Sequence, residues 1–119
     1  MSQHIRVGQE GERLALQFLQ KQGYDIIARN FQGHAGEIDI IAYDKEFLVF
    51  IEVKTRTSVE YGRPADAVDK EKQKALHGAA GEFRAAYNMQ GHPYRFDIVS
   101  ILLAKQKPQI ILYQNAIAE

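Results

Sequence analysis

Residues 36–56 read GEIDIIAYDKEFLVFIEVKTR. Two runs rich in β-branched and aromatic residues, 37–43 and 47–54, flank the short polar segment Tyr43-Asp44-Lys45-Glu46. That pattern predicts an antiparallel hairpin. Side chains alternate faces along a strand. On 47–54, Phe47, Val49, Ile51 and Val53 share one face, and Leu48, Phe50, Glu52 and Lys54 the other. On 37–43, Glu37, Asp39 and Ile41 share one face, and Ile38, Ile40 and Ala42 the opposite one. A hairpin centred on Asp44-Lys45 sets Asp39 opposite Phe50 and diagonal to Glu52, roughly 7–8 Å apart at the backbone. A register two residues further sets Asp39 directly opposite Glu52. Either register brings both carboxylates and Lys54 together, whereas a slip of one residue separates them.

Such a set has a chemical use. Two half-buried carboxylates repel each other when both are ionised. A divalent cation relieves that repulsion, and oxygen donors suit Mg²⁺ or Mn²⁺. A metal held by one or two carboxylates keeps waters and room for a phosphate oxygen, polarising the phosphate and acidifying water. Lys54 is placed to orient the attacking water or to offset charge on a phosphorane-like transition state. The plain alternative is a solvated strand end with a surface ion pair worth ~0–1 kcal/mol. Two acids interrupting the neighbouring apolar strand, Glu37 and Asp39, argue against it.

Outward from the hairpin, residues 5–22 read as a helix with Leu14, Ala15, Phe18 and Leu19 on one stripe and Gly23 at its stop. Residues 24–31 read as a strand, and two glycines mark a turn over 32–36. After an irregular segment, 55–65, a second helix starts near Asp66 to Asp69, either able to cap it. It runs to about Asn88 with Ala75, Leu76, Ala79, Ala80, Phe83 and Tyr87 inward. Strands over 94–104 and 109–114 complete the order α-β-β-β-α-β-β. An α/β fold with a mixed sheet flanked by helices is the natural packing.

The 119 residues suit one domain, 1–119. Lys plus Arg equals Asp plus Glu, 15 each, which disfavours a non-specific nucleic-acid coat but not an enzyme whose acids are neutralised by cations. There is no cysteine, so disulfides and thiolate metal sites are excluded. No apolar run reaches the ~20 residues of a membrane span, and the polar N-terminus lacks a signal-peptide core. A cytoplasmic location and no membrane partner are the expectation. The histidines at 4, 34, 77 and 92 lack ligand spacing for zinc.

Asp39 followed thirteen positions later by Glu52-Val53-Lys54 resembles the PD-(D/E)XK, or restriction-endonuclease-like, nuclease superfamily. GEIDIIA at 36–42, LVFIEVKTR at 48–56, AVDKEKQKAL at 67–76 and RFDIVSI at 95–101 more closely resemble the YraN-like family, small bacterial proteins related to Holliday-junction resolvases. The resemblance spans nearly the whole chain. It implies a restriction-endonuclease-like core, with Asp39, Glu52 and the backbone carbonyl of Val53 as metal ligands and Lys54 as catalytic lysine. It implies a further acid from the first helix, matched by Glu12, and a glutamine from the second, matched by Gln73. Exonuclease-type relatives carry Tyr four residues after that glutamine; His77 stands here instead. Ile38 replaces the proline in the superfamily's name.

Arg56, Arg63, Lys70, Lys72 and Lys74 form a candidate phosphate-contacting rim, alternatively a solvated helix face of mixed charge. Asp97 is expected to pair with Arg95 or to back up the acids. The expected function is a Mg²⁺- or Mn²⁺-dependent endonuclease acting on DNA, with branched or structured DNA as the expected substrate and a homodimer as the expected assembly. The rival is a nuclease-fold module that binds nucleic acid or a protein and cuts nothing.

Overall fold

A computed structural model describes residues 3–57, 68–103 and 107–118, with the side chains of 3 and 4 left aside. The order is α1 (Gln3–Lys21), β1 (Asp25–Gln32), β2 (Glu37–Asp44), β3 (Phe47–Arg56), α2 (Lys70–Ala86), β4 (Tyr94–Leu102) and β5 (Gln109–Ile117), as the hydrophobic pattern predicts. The strands form one sheet in sequence order. β3 and β4 run parallel and every other neighbouring pair is antiparallel. Parallel neighbours need a crossover, and α2 supplies it. Among the described residues no helix is long and apolar enough to cross a membrane.

α1 ends because Gly23 adopts a left-handed conformation, φ +94°, open to a residue without Cβ. The Gly23 N–H then donates to the Gln20 carbonyl and the Tyr24 N–H to the Leu19 carbonyl, a Schellman closure that folds Tyr24 back beside Leu19. α2 is capped by Asp69, whose carboxylate accepts from the Lys72 N–H at 2.8 Å. Asp66, the other candidate cap, lies outside the described residues. Asn88, at φ +56°, turns the chain out of α2. Tyr87 is therefore exposed at 63%, a correction to the inward stripe, which ends at Phe83.

Each face of the sheet carries one helix. Ala15 and Leu19 of α1 pack with Ile40, Ala42, Val49, Ile51, Val99 and Ile101. Leu76, Ala79, Ala80 and Phe83 of α2 pack with Ile38, Ile41, Leu48, Phe50, Phe96 and Ile98. Each fully buried aliphatic or Phe side chain contributes about 1.5–3 kcal/mol, so both helices are held by their apolar stripes rather than by propensity.

The hairpin has the two-residue loop Lys45-Glu46 closed by the pair Asp44↔Phe47, with Lys45 at φ +56°. The turn is thus one residue later than Asp44-Lys45. Pairs run from there to Ile40↔Ile51, which is the further of the two registers. Strict alternation holds on β3 but fails on β2: Ile38 and Ile41 share the α2 side, and Ile40 and Ala42 the α1 side. The break falls at Asp39. In β1, between the paired residues Arg29 and Phe31, Asn30 takes φ +52°, so both strands change hand at this level.

Candidate metal and phosphodiester site

The site lies where β2 and β3 stop pairing. Beyond Ile40↔Ile51, the carboxylate Oδ2 of Asp39 accepts the Val53 N–H at 2.8 Å. A side chain thus replaces the next ladder bond, and Asp39 is fixed at the strand end. Glu52 follows Leu48 and Phe50 on the α2 side and is 5% exposed. Its Oε2 is 3.6 Å from Lys54 Nζ and 3.5 Å from Lys72 Nζ. Its Oε1 is buried without a hydrogen-bond partner.

α1 adds Glu12. Its Oε1 is also buried without a hydrogen-bond partner, with the Arg29 guanidinium 3.9 Å away. Gly11 explains how α1 comes so near: a Cβ there would overlap the Thr55 side chain on β3. Glycine costs about 0.5–1 kcal/mol relative to alanine in a helix, and here it permits the close approach. A cavity of about 480 Å³ opens between these elements, lined by Gly8, Glu12, Asp39, Val53, Lys54 and Thr55 among others.

Burial pushes the Glu52 carboxyl up to about 7, the Asp39 charge adds to the rise, and Lys72 and Lys54 oppose it. Glu12 is also raised, first by burial and then by the Asp39 charge, against Asn30 and Arg29. Three acids thus crowd one strand end, and two carry buried oxygens without donors. Desolvated carboxylate oxygens of this kind cost free energy unless a proton or a cation joins them. Hard oxygen donors fit Mg²⁺ or Mn²⁺. Among the described residues no set of three or more His, Cys, Asp or Glu side chains could hold an ion. These acids therefore form no closed side-chain cage; a site of one or two carboxylates would suit only an ion that keeps several waters, as Mg²⁺ does.

The structure brings together Asp39, Glu52, Val53, Lys54 and Glu12, and adds Lys72 in direct contact with Glu52. The sequence places Lys72 only in an outer rim; its signal is its position four residues, about one helical turn, before Leu76, the first buried residue of α2. Gln73 is occupied elsewhere: its amide Nε2 donates to the Val68 carbonyl at 2.9 Å. Lys70 and Lys74 are exposed. Arg56 is half-buried with its Nε unpartnered. Arg63 lies outside the described residues. Glu37 is exposed at the start of β2.

Asp97, fully buried, belongs to a separate network on the α1 side. It accepts from Arg95 Nε at 3.0 Å, from the Tyr24 hydroxyl at 2.7 Å and from the Asn115 N–H at 2.9 Å. Arg95 also reaches Asp44 at 2.7 Å. Burial pushes the Tyr24 hydroxyl up to about 12, so it stays protonated and donates to Asp97. The pairing of Asp97 with Arg95 expected from sequence is present.

The profile of the family described as "Uncharacterised protein family UPF0102" matches residues 11–101. A UPF0102 protein of Geobacter metallireducens is 44% identical over 117 residues, spanning 98% of this chain and 96% of that protein. One from Caldanaerobacter subterraneus is 46% identical over 101 residues, 85% of this chain and 83% of that protein. One from Alkaliphilus metalliredigens is 42% identical over 101 residues, 85% of this chain and 89% of that protein. With the matched profile spanning β1 to β4 and both helices' site residues, the chain belongs to the uncharacterised protein family UPF0102.

Proposed function

We propose that this protein is a divalent-metal-dependent endonuclease of the PD-(D/E)XK kind that hydrolyses DNA phosphodiesters, with branched or otherwise structured DNA as the favoured substrate. The observation that carries the reading is the pair of buried carboxylate oxygens without hydrogen-bond partners on Glu52 and Glu12, each acted on by the Asp39 charge, with Glu12 and Asp39 lining an open cavity. Carboxylates that serve only structure normally find donors.

Asp39 and Glu52 hold the cation, with the Val53 carbonyl as a third oxygen. Bound Mg²⁺ or Mn²⁺ supplies polarisation of the phosphoryl group and acidification of water at the site. Asp39 is oriented for this by the Val53 N–H, which fixes one of its oxygens. Lys54, which lines the cavity, holds a positive charge where the phosphate gains negative charge on attack. Glu12, with its raised proton affinity, is suited to accept a proton from water or a further ligand position.

A second reading has its own observation. Glu52 Oε2 already faces two ammonium groups, which suits a nuclease fold that binds nucleic acid or a protein without cutting. Labelled linear, flapped and branched DNA, and RNA, incubated with Mg²⁺ or Mn²⁺ and with chelator, separate the two. Metal-dependent cleavage lost in Glu52→Ala supports the endonuclease. Cleavage that persists in Glu52→Ala, or binding without any turnover, rejects it.

A further inference from the structure

Two lysines share one oxygen of Glu52, and they come from different elements. Lys54 is fixed within β3, paired with Ser100 of β4. Lys72 stands in the first turn of α2, its own N–H taken by the Asp69 cap. Its side chain is 37% exposed on a flexible stem, while the Glu52 side chain it touches is 6% exposed. The N-terminal end of a helix carries partial positive charge and is an unfavourable place for a cation unless an anion is near. Glu52 is the anion Lys72 contacts here.

A divalent cation at Glu52 changes that balance. It brings two positive charges to a carboxylate whose Oε2 already has two ammonium neighbours and whose Oε1 has none. Like charges at this separation, under low local dielectric, repel strongly. One ammonium must withdraw. Lys72 is the more exposed of the two side chains, 37% against 31%, and it extends from the end of a helix, whereas the Lys54 backbone is paired on β3. Once released, its ammonium sits beside a helix N-terminus, a combination that attracts phosphate.

We propose that Lys72 is a cation-released phosphate ligand: it rests on Glu52 in the metal-free protein and transfers to a nucleic-acid backbone phosphate when a divalent ion occupies the acidic pair. This rests on the phosphodiester reading above and gives it an order. Metal and nucleic acid bind with positive coupling, and the coupling passes through one side chain.

The test uses the full chain and three forms: wild type, Lys72→Met and Lys72→Arg. Ca²⁺ replaces Mg²⁺, and a gel confirms that the fluorescent oligonucleotide stays intact. Anisotropy titrations over a range of salt give the slope of log affinity against log salt. One lost phosphate contact lowers that slope by about 0.9. The expected result is a slope lower by about one unit in Lys72→Met with Ca²⁺ present and unchanged without it, with Lys72→Arg like wild type. Calorimetry is expected to show Ca²⁺ binding to Lys72→Met roughly threefold to fivefold more tightly, since a competing ion pair is gone. A slope change of equal size with and without Ca²⁺ overturns the proposal, as does weaker Ca²⁺ binding in Lys72→Met. Absence of Ca²⁺ or oligonucleotide binding by wild type also overturns it. Failure of the endonuclease reading shows separately, as absence of cleavage with Mn²⁺ while this coupling persists.

Discussion

Asp39 and Val53 are joined by a hydrogen bond of 2.8 Å from the Val53 N–H to a carboxylate oxygen, at the point where the β2–β3 ladder ends. The bond ties the first acid of the site to the residue between Glu52 and Lys54. Asp39→Ala leaves a part-buried N–H without its partner and is expected to cost about 1–3 kcal/mol. Asp39→Asn keeps an acceptor and removes a negative charge beside Glu52 and Glu12, so its stability should stay within about 1 kcal/mol of wild type. Both should lose metal uptake. Urea melts and calorimetric titration with Mn²⁺ check the two effects together.

Glu52 makes stability depend on pH in an unusual direction. Its carboxyl is raised from 4.5 to about 7, so the folded chain retains a proton that the unfolded chain releases. Stability attributable to this group therefore falls as pH rises from about 4.5 to 7, and the loss is complete above that window. Glu52→Gln should flatten this fall and exceed wild type by on the order of 1–3 kcal/mol at pH 8. Saturating Mg²⁺ favours the ionised form, so its uptake should release protons near pH 6–7. Melts across pH 5–8, and metal titrations in buffers of different ionisation enthalpy, measure both.

Gly11 sets how near α1 lies to β3. Gly11→Ala forces a Cβ into Thr55 and should destabilise by about 1–3 kcal/mol, as overpacking does. Because Glu12 follows directly, metal affinity should fall as well. Thr55→Ala in the same chain removes the Oγ1 and Cγ2 that the new Cβ would meet but keeps a Cβ close to it, so partial recovery of both quantities is the expected result. Independent effects that simply add would show that the two residues are not in contact.

The Arg95 network provides a control away from the acids. Arg95→Met leaves Asp97 buried at 0% exposure with the Tyr24 hydroxyl and the Asn115 N–H as donors. An uncompensated buried charge of this kind costs about 3–5 kcal/mol. Asp97 lies on the α1 side with Tyr24, whereas Glu52 faces α2, so Mn²⁺ affinity should be unchanged in the fraction that stays folded. A guanidinium melt and calorimetry below the midpoint test this.

Much of the fold was legible in the sequence because β3 obeys its period throughout: Phe47, Val49, Ile51 and Val53 went one way and Leu48, Phe50 and Glu52 the other. Asp69 and Gly23 marked helix ends by their own backbone chemistry. The sequence allows two registers, since turn placement over Tyr43 to Glu46 depends on which residue takes positive φ; Lys45 does. The switch of face at Asp39 was not legible, because it depends on Asn30 in a neighbouring strand. Lys72 was seen as a basic residue but not as a neighbour of Glu52, since the angle at which α2 crosses the sheet decides that contact. Tyr87 continued the helical period in sequence, but Asn88 ends the helix before the period can bury it.

A crystal soaked in Mn²⁺ and measured at the manganese absorption edge decides whether the acids hold a cation. The expected result is an anomalous peak between the carboxylates of Asp39 and Glu52, within coordination distance of the Val53 carbonyl, with Lys72 withdrawn from Glu52. A crystal that takes up no manganese there, and in which both lysines still rest on Glu52 Oε2, would contradict it.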